Sequence, residues 1–210
     1  MTKKTNLFER WRLLALISAT LTTMAAIVVI ADAGSTESIR LVIRLTARTS
    51  LALFLMAFLA TALLRLFPSP ITRWQRRNRR YLGLGFAASH GIHALALIAL
   101  VTLDPKTFWS LTTAVSIVTG GAAYVVIMAM SATSFDRMVT LLGPKTWKAL
   151  HWTGSWFIWA SFVFTFGKRI PTGLWYAFPV ALLVVALALR IVTRLRMRRS
   201  APVGAAPAAG

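Results

Sequence analysis

The sequence predicts an all-α integral membrane protein, a six-helix transmembrane bundle with both termini on the cytoplasmic side. Three observations lead to this fold class. Hydrophobic residues make up 57% of the 210-residue chain, they fall in long runs separated by short basic segments, and the basic residues collect in alternate segments. Long apolar runs are typical of helices surrounded by lipid. Helices of soluble proteins have one apolar and one polar face, so apolar and polar residues alternate every few positions along their sequence.

Six apolar stretches are long enough to cross a hydrocarbon core, which takes about 20 helical residues. We expect transmembrane helices over residues 11–31, 49–67, 81–103, 108–130, 147–166 and 174–193. Together they form one domain, residues 1–199. Residues 200–210 are rich in Ala, Pro and Gly and show no periodicity, so we expect a disordered tail there.

The distribution of Lys and Arg predicts the orientation. Eighteen of these 24 residues lie in segments that would share one side of the membrane with the amino terminus, and six lie on the other side. Cytoplasmic loops carry the excess of positive charge. We therefore expect cytoplasmic termini, contact with membrane lipid, and a multi-pass location in the bacterial inner membrane.

The net charge of +19 would suggest nucleic-acid binding in a soluble domain. Here the basic residues flank apolar runs, where they would contact lipid headgroups. We therefore expect no nucleic-acid partner. The chain has no cysteine, which excludes disulfides, thiolate metal sites and thiol nucleophiles. A bound metal must therefore use histidine or one of the few carboxylates.

All three histidines lie within predicted spans, where an ionisable side chain indicates a functional site. His90 and His93 belong to the third span and share one helical face, and His151 belongs to the fifth. These two helices point the same way across the membrane, so an imidazole from each could ligate the iron of a haem standing between them. Depth along the helices favours His90 over His93 as the partner of His151.

Each histidine could instead be a buried imidazole that hydrogen-bonds a neighbour. A two-histidine zinc site is a further alternative, although the spans offer no carboxylate to complete a tetrahedral set. Nearby, Trp152, Trp156 and Trp159 recur at helical spacing. They could pack on a cofactor ring, but interfacial anchoring and ordinary packing explain them better. Four arginines near the third span could bind haem propionates or simply set the topology: Arg76, Arg77, Arg79 and Arg80.

Two segments carry a family resemblance. The stretch RRYLGLGFAASHGIH, Arg79 to His93, resembles the entry into the third helix of the ferric reductase-like transmembrane domain family. The stretch TSFDRMVTLLGPKTWKALHW, which ends just after His151, resembles the loop into the fifth helix of that family. The resemblance extends from Arg44 to the sixth helix and is greatest to the haem-binding membrane subunits of bacterial methionine sulfoxide reductase systems.

This resemblance implies b-type haem held by histidines of the third and fifth helices. It matches His151 and, by spacing from Gly83, His93 rather than His90. One departure is Phe164, which occupies the position where the family has a second fifth-helix histidine. A single haem b is therefore the expectation.

We accordingly predict an electron-transfer subunit of ferric reductase-like type, with His90, His93 and His151 as candidate haem-iron ligands: His151 plus one of the other two. A cytoplasmic flavin or quinone would be the donor, and a separate redox protein a possible partner. The alternative is a non-redox membrane scaffold or small-molecule-binding protein of the same fold.

Overall fold

The computed structural model describes residues 7–199, and all regular structure in this range is helical. The predicted disordered tail, residues 200–210, lies outside the described residues. The helices are α1 Arg10–Ala31, α2 Thr36–Leu66, α3 Pro70–Arg77, α4 Arg79–Leu103, α5 Pro105–Leu111, α6 Ala114–Ala132, α7 Asp136–Leu142, α8 Pro144–Gly167 and α9 Ala177–Arg199. Two short 3-10 turns, Ile170–Thr172 and Leu174–Tyr176, connect α8 to α9.

Capping side chains mark where several of these helices begin. Ser35 accepts a hydrogen bond from the Ser38 amide at the start of α2, at 3.1 Å. Asp104 accepts one from the Thr107 amide at the start of α5, at 3.0 Å. Such caps satisfy amides that have no partner within the helix. The loops between the long helices are therefore encoded locally, by the residues that end one helix and start the next.

Five helical segments are long and apolar enough to cross a membrane, and the chain is a multi-pass membrane protein: Arg10–Ala31, Thr36–Leu66, Arg79–Leu103, Ala114–Ala132 and Leu174–Arg199. Helix α8 is not in this group, although it has 24 residues. Four tryptophans, several Ser and Thr residues and His151 lower its mean hydropathy, in addition to the lysines near its start. The sixth span therefore stays a prediction.

Two predicted spans differ from the observed helices. Helix α2 begins at Thr36 rather than residue 49, so the arginines before residue 49 belong to the helix and not to a loop. The predicted span over residues 108–130 is divided between α5 and α6, with a break where Thr113 caps α6 by accepting from the Ser116 amide at 3.2 Å. Hydropathy does not register this break, because threonine and serine are only weakly polar.

Five long helices surround a central cavity. Around it, neighbouring helices pack in the order α2, α4, α6, α8, α9 and back to α2, while α1 packs outside against α2 and α4. Arg10 at the start of α1 bonds through its amide to Asn78 Oδ1, at 2.8 Å. Arg65 at the end of α2 contacts Met197 of α9. We call this end of the bundle, which also holds α3 and α7, the basic end.

Small polar side chains pack α2 tightly against α4. Ser50 and Ser89 are fully buried, and the Ser50 hydroxyl donates to Ser89 Oγ at 2.9 Å. Ser89 also lies 3.2 Å from the carbonyl oxygen of Thr46 and 2.9 Å from the Thr49 hydroxyl. Small hydroxyl residues allow close helix approach in membranes and supply interhelical hydrogen bonds. This contact fixes α4, and with it two of the three histidines.

Candidate functional site

A cavity of about 1160 Å³ occupies the bundle at the basic end. Its volume reaches the upper range of cofactor and small-molecule sites. Its floor is apolar, since Phe54, Phe86, Ile127 and Ile158 all line it. Above the floor the lining becomes polar and then strongly basic. A cavity of this kind suits an amphipathic ligand whose apolar part lies deep in the bundle.

The charge of the lining is almost entirely positive. It includes nine cationic side chains and a single carboxylate, Asp136. The carboxylate is already engaged, because Arg80 donates to it at 3.2 Å from one guanidinium nitrogen and also from a second. These hydrogen bonds lower the pKa of Asp136 below its usual value. The cationic residues are Arg10, Arg65, Arg76, Arg77, Arg79, Arg80, Lys148, Arg190 and Arg194.

His151 lines this cavity from α8. Its ring stacks on Trp147 with the centroids 4.3 Å apart. Its Nε2 lies 3.1 Å from Thr133 Oγ1, and the Thr133 hydroxyl donates its own hydrogen to the carbonyl of Ala129 at 2.7 Å. The hydroxyl must therefore accept from the imidazole. We assign the proton of His151 to Nε2 and the lone pair to Nδ1.

His93 is oriented by the backbone of α2. Its Nδ1 lies 3.1 Å from the carbonyl oxygen of Ile43 and 3.0 Å from Thr46 Oγ1. A carbonyl can only accept, and the Thr46 hydroxyl gives its hydrogen to Val42 at 2.6 Å. Nδ1 of His93 therefore carries the proton, and Nε2 carries a lone pair. A hydrogen bond of this kind is the usual support of a metal-bound histidine.

His90 lies beside His93, with the two rings stacked and their centroids 5.4 Å apart. On its other side it contacts Tyr124 of α6, at 5.1 Å between ring centroids. Within residues 7–199, neither His90 Nδ1 nor the Tyr124 hydroxyl oxygen has a hydrogen-bond partner, and both atoms are buried. Unpaired buried polar atoms are costly. These two neighbouring buried atoms therefore lack the hydrogen bonds that such groups normally make.

The three histidines do not share one cavity lining. His151 lines the cavity, whereas His90 and His93 do not. His90 reaches the lining only indirectly, through Phe86, which lines the cavity and contacts the His90 ring at 5.2 Å between centroids. In the described range, no three residues of His, Asp or Glu type come together in a way that could hold a metal ion. The predicted choice between His90 and His93 as iron ligand stays open.

Three of the four tryptophans on α8 were candidates for packing on a cofactor ring, and their surroundings differ. Trp152 is 53% exposed. Trp159 donates from Nε1 to the carbonyl of Leu183 at 3.0 Å, which ties α8 to α9. Trp156 lines the cavity, and its Nε1 is buried without a partner in the described range. Packing therefore accounts for Trp159, whereas Trp152 and Trp156 both line the cavity, and the Trp156 N–H has no acceptor among the described residues.

Arg190 is a site residue that sequence analysis missed, because it was counted only among the cytoplasmic charges. Its guanidinium lies 4.0 Å from the centre of the Phe58 ring and 4.9 Å from that of Trp156. It donates to the Phe58 carbonyl oxygen at 3.4 Å. The available signal was an arginine preceded by an apolar run of helix, since such residues usually line an interior cavity.

No protein-family model, curated protein or solved structure matches the chain. The resemblance to the ferric reductase-like family therefore stays a prediction that rests on the two segments around His93 and His151.

Proposed function

We propose that this protein is a six-span, b-type haem protein of the bacterial inner membrane that transfers electrons. The donor would be a cytoplasmic flavin or a quinone, and the acceptor a separate redox partner. The basic end would face the cytoplasm, with both termini on that side. The observation that supports this best is a cavity that combines an imidazole, apolar walls and a strong excess of positive charge.

The residues present fit a haem in several respects. The cavity is large enough for the macrocycle, and its apolar floor and Trp156 suit a flat aromatic ring. Arginines at the basic end, among them Arg76 and Arg79, could pair with the two propionates. A haem supplies one-electron redox chemistry when it is bound. The protein would bind it, exclude water and set its electrostatic field.

His151 is the ligand candidate within the cavity. Its Nε2 hydrogen bond to Thr133 would have to give way if that nitrogen bound iron. For the second ligand, the hydrogen bond from His93 to Ile43 favours His93, because Nε2 is left with a free lone pair. His90 has no such support. We therefore propose His151 and His93 as the pair, with His90 retained as the alternative partner. Neither His93 nor His90 lines the cavity, so either one would have to turn towards it to reach an iron held by His151.

An optical spectrum of the purified protein tests this proposal. Protein from haem-sufficient cells should show a Soret band, and dithionite should sharpen the α and β bands of low-spin b haem. Pyridine haemochrome analysis should give about one haem per chain. Protein that lacks a Soret band under these conditions would contradict the proposal.

A second function uses the same cavity without redox chemistry, namely the binding of an anionic small molecule by a membrane protein. The observation that favours it is the absence of His90 and His93 from the cavity lining. The spectrum decides between the two functions, since a protein of the second kind would purify without haem from haem-sufficient cells.

A further inference from the structure

We infer that Arg190 and Trp156 form an anion-binding site inside the cavity, for the carboxylate or phosphate group of an amphipathic ligand. This inference does not rest on haem binding. It rests on two adjacent hydrogen-bond donors, the charged guanidinium of Arg190 and the neutral indole N–H of Trp156. Within residues 7–199, neither donor has an anionic acceptor.

The charge of Arg190 is not neutralised within residues 7–199. None of the ion pairs found there includes it, and its hydrogen bond to the Phe58 carbonyl is long, at 3.4 Å. A guanidinium carries five N–H donors, so most of its hydrogen-bonding capacity remains available. Arginine inside a membrane bundle is costly unless a partner or a water-filled cavity compensates it. An anionic ligand in the cavity would provide that partner.

Two aromatic rings hold the guanidinium in place. Phe58 and Trp156 are themselves packed edge to face, with centroids 5.3 Å apart, and both rings lie near the guanidinium carbon. Cation–π contacts of this kind restrict the side chain before any ligand arrives. A fixed guanidinium loses little conformational entropy on binding an oxyanion, so the arrangement is preorganised.

Trp156 supplies the second donor. Its Nε1–H is buried and has no acceptor in the described part of the chain. The indole is a donor only, and so is the guanidinium. A ligand that satisfies both must therefore present acceptor oxygens, and the charge of Arg190 favours an anionic group such as carboxylate or phosphate.

The cavity floor defines the rest of the ligand. Phe54, Ile127 and Ile158 offer an apolar surface. An inorganic anion would leave that surface uncovered, whereas an amphiphile would cover it. Two sources supply the same oxyanion chemistry: a propionate of a bound haem and the phosphate of a membrane lipid. The experiment below distinguishes them.

The test measures binding of dodecyl phosphate by isothermal titration calorimetry, with full-length protein in phosphatidylcholine nanodiscs and empty nanodiscs as the blank. Dodecanol serves as the uncharged probe. We expect saturable binding of dodecyl phosphate and none of dodecanol. Arg190→Gln should weaken binding roughly tenfold or more, because a charge-assisted hydrogen bond is lost. Trp156→Phe keeps the aromatic ring but removes the N–H, and should weaken binding by a smaller factor.

Arg198→Gln is the matched control, since it removes the same charge from the same helix at a residue that does not line the cavity. It should retain nearly wild-type affinity. Equal weakening by Arg198→Gln and Arg190→Gln would show a general effect of charge and would overturn the inference. Wild-type affinity in both Arg190→Gln and Trp156→Phe, with a native elution profile, would overturn it as well.

Haem content of the same preparations separates this inference from the proposed function. Haem-free protein that binds dodecyl phosphate through Arg190 supports the anion site and contradicts the haem proposal. If haem-loaded protein excludes the probe while haem-depleted protein binds it, the inference is supported with a propionate as occupant. Binding that persists in haem-loaded protein supports it with a lipid phosphate as occupant.

Discussion

His93 is hydrogen-bonded through Nδ1 to the carbonyl oxygen of Ile43, at 3.1 Å, and this bond fixes its tautomer and ring orientation. The bond crosses from α4 to α2, the tightest helix pair in the bundle. His90, one turn earlier, has no corresponding bond at Nδ1 within residues 7–199. Two histidines three residues apart therefore have different chemical roles available to them, and mutation can separate these roles.

The first prediction concerns the three histidines. His151→Ala and His93→Ala should each remove most of the bound haem, because each substitution removes a side chain proposed to hold the iron. His90→Ala should retain haem with a shifted reduction potential, since a neighbouring imidazole changes the local field without bonding the iron. Haem content and reduced spectra of the three variants measure this. Wild-type haem content in all three would contradict histidine ligation altogether.

The second prediction concerns Phe164, at the position where the family resemblance places another histidine. Its side chain is 41% exposed, because it lies on the outer side of α8. Phe164→His should therefore leave the haem-to-protein ratio unchanged, and pyridine haemochrome analysis checks this. A ratio that rises to two haems per chain would show that this face of α8 turns inward.

The third prediction concerns the hydroxyl cluster between α2 and α4. Ser89→Ala removes a buried group that bonds Ser50 and Thr49, and should lower stability by about 1 kcal/mol. The matched control is Ser161→Ala, whose hydroxyl bonds the Phe157 carbonyl of its own helix and no other helix of the described range. Unfolding in mixed micelles with increasing SDS measures both. Equal stability of the two variants would show that the cluster contributes little.

The fourth prediction concerns close packing of α6 on α8. A Cβ atom added at Gly154 would lie 2.5 Å from Met130 Sδ and 3.0 Å from Val126 Cγ1, whereas one added at Gly121 would meet no atom within 4 Å. Gly154→Val should therefore destabilise the protein by about 1–3 kcal/mol. Gly121→Val should change stability far less. The same SDS titration compares them, and indistinguishable midpoints would argue against this packing.

The fifth prediction concerns orientation. A carboxyl-terminal fusion to alkaline phosphatase should be inactive, and a fusion to green fluorescent protein should be fluorescent, because both report a cytoplasmic terminus. The matched control places the same reporters after Lys106, in a segment predicted to be periplasmic. Active phosphatase at the carboxyl terminus would place the basic end of the bundle on the periplasmic side.

Most of the helical content follows from the sequence. Apolar runs of about 20 residues leave few alternatives to helix in lipid, because every backbone amide must find a partner within its own segment. Five long apolar helices are confirmed. The start of α2 and the break before α6 were placed wrongly, since hydropathy averages over a window and does not resolve single capping residues such as Thr113.

The sequence by itself determined that the chain is helical and membrane-spanning, and it identified the histidines and the basic clusters as unusual. These properties depend on composition and on spacing along one chain. Only the tertiary structure decided which side chains share a cavity. Predicted depth favours His90 over His93 as the partner of His151, yet only His151 lines the cavity, and Arg190 lies over Phe58 and Trp156 inside it. The physical reason is that packing against neighbouring helices sets the rotation of each helix about its own axis, and therefore which side chains face the cavity. The residue pattern within one helix does not determine that rotation.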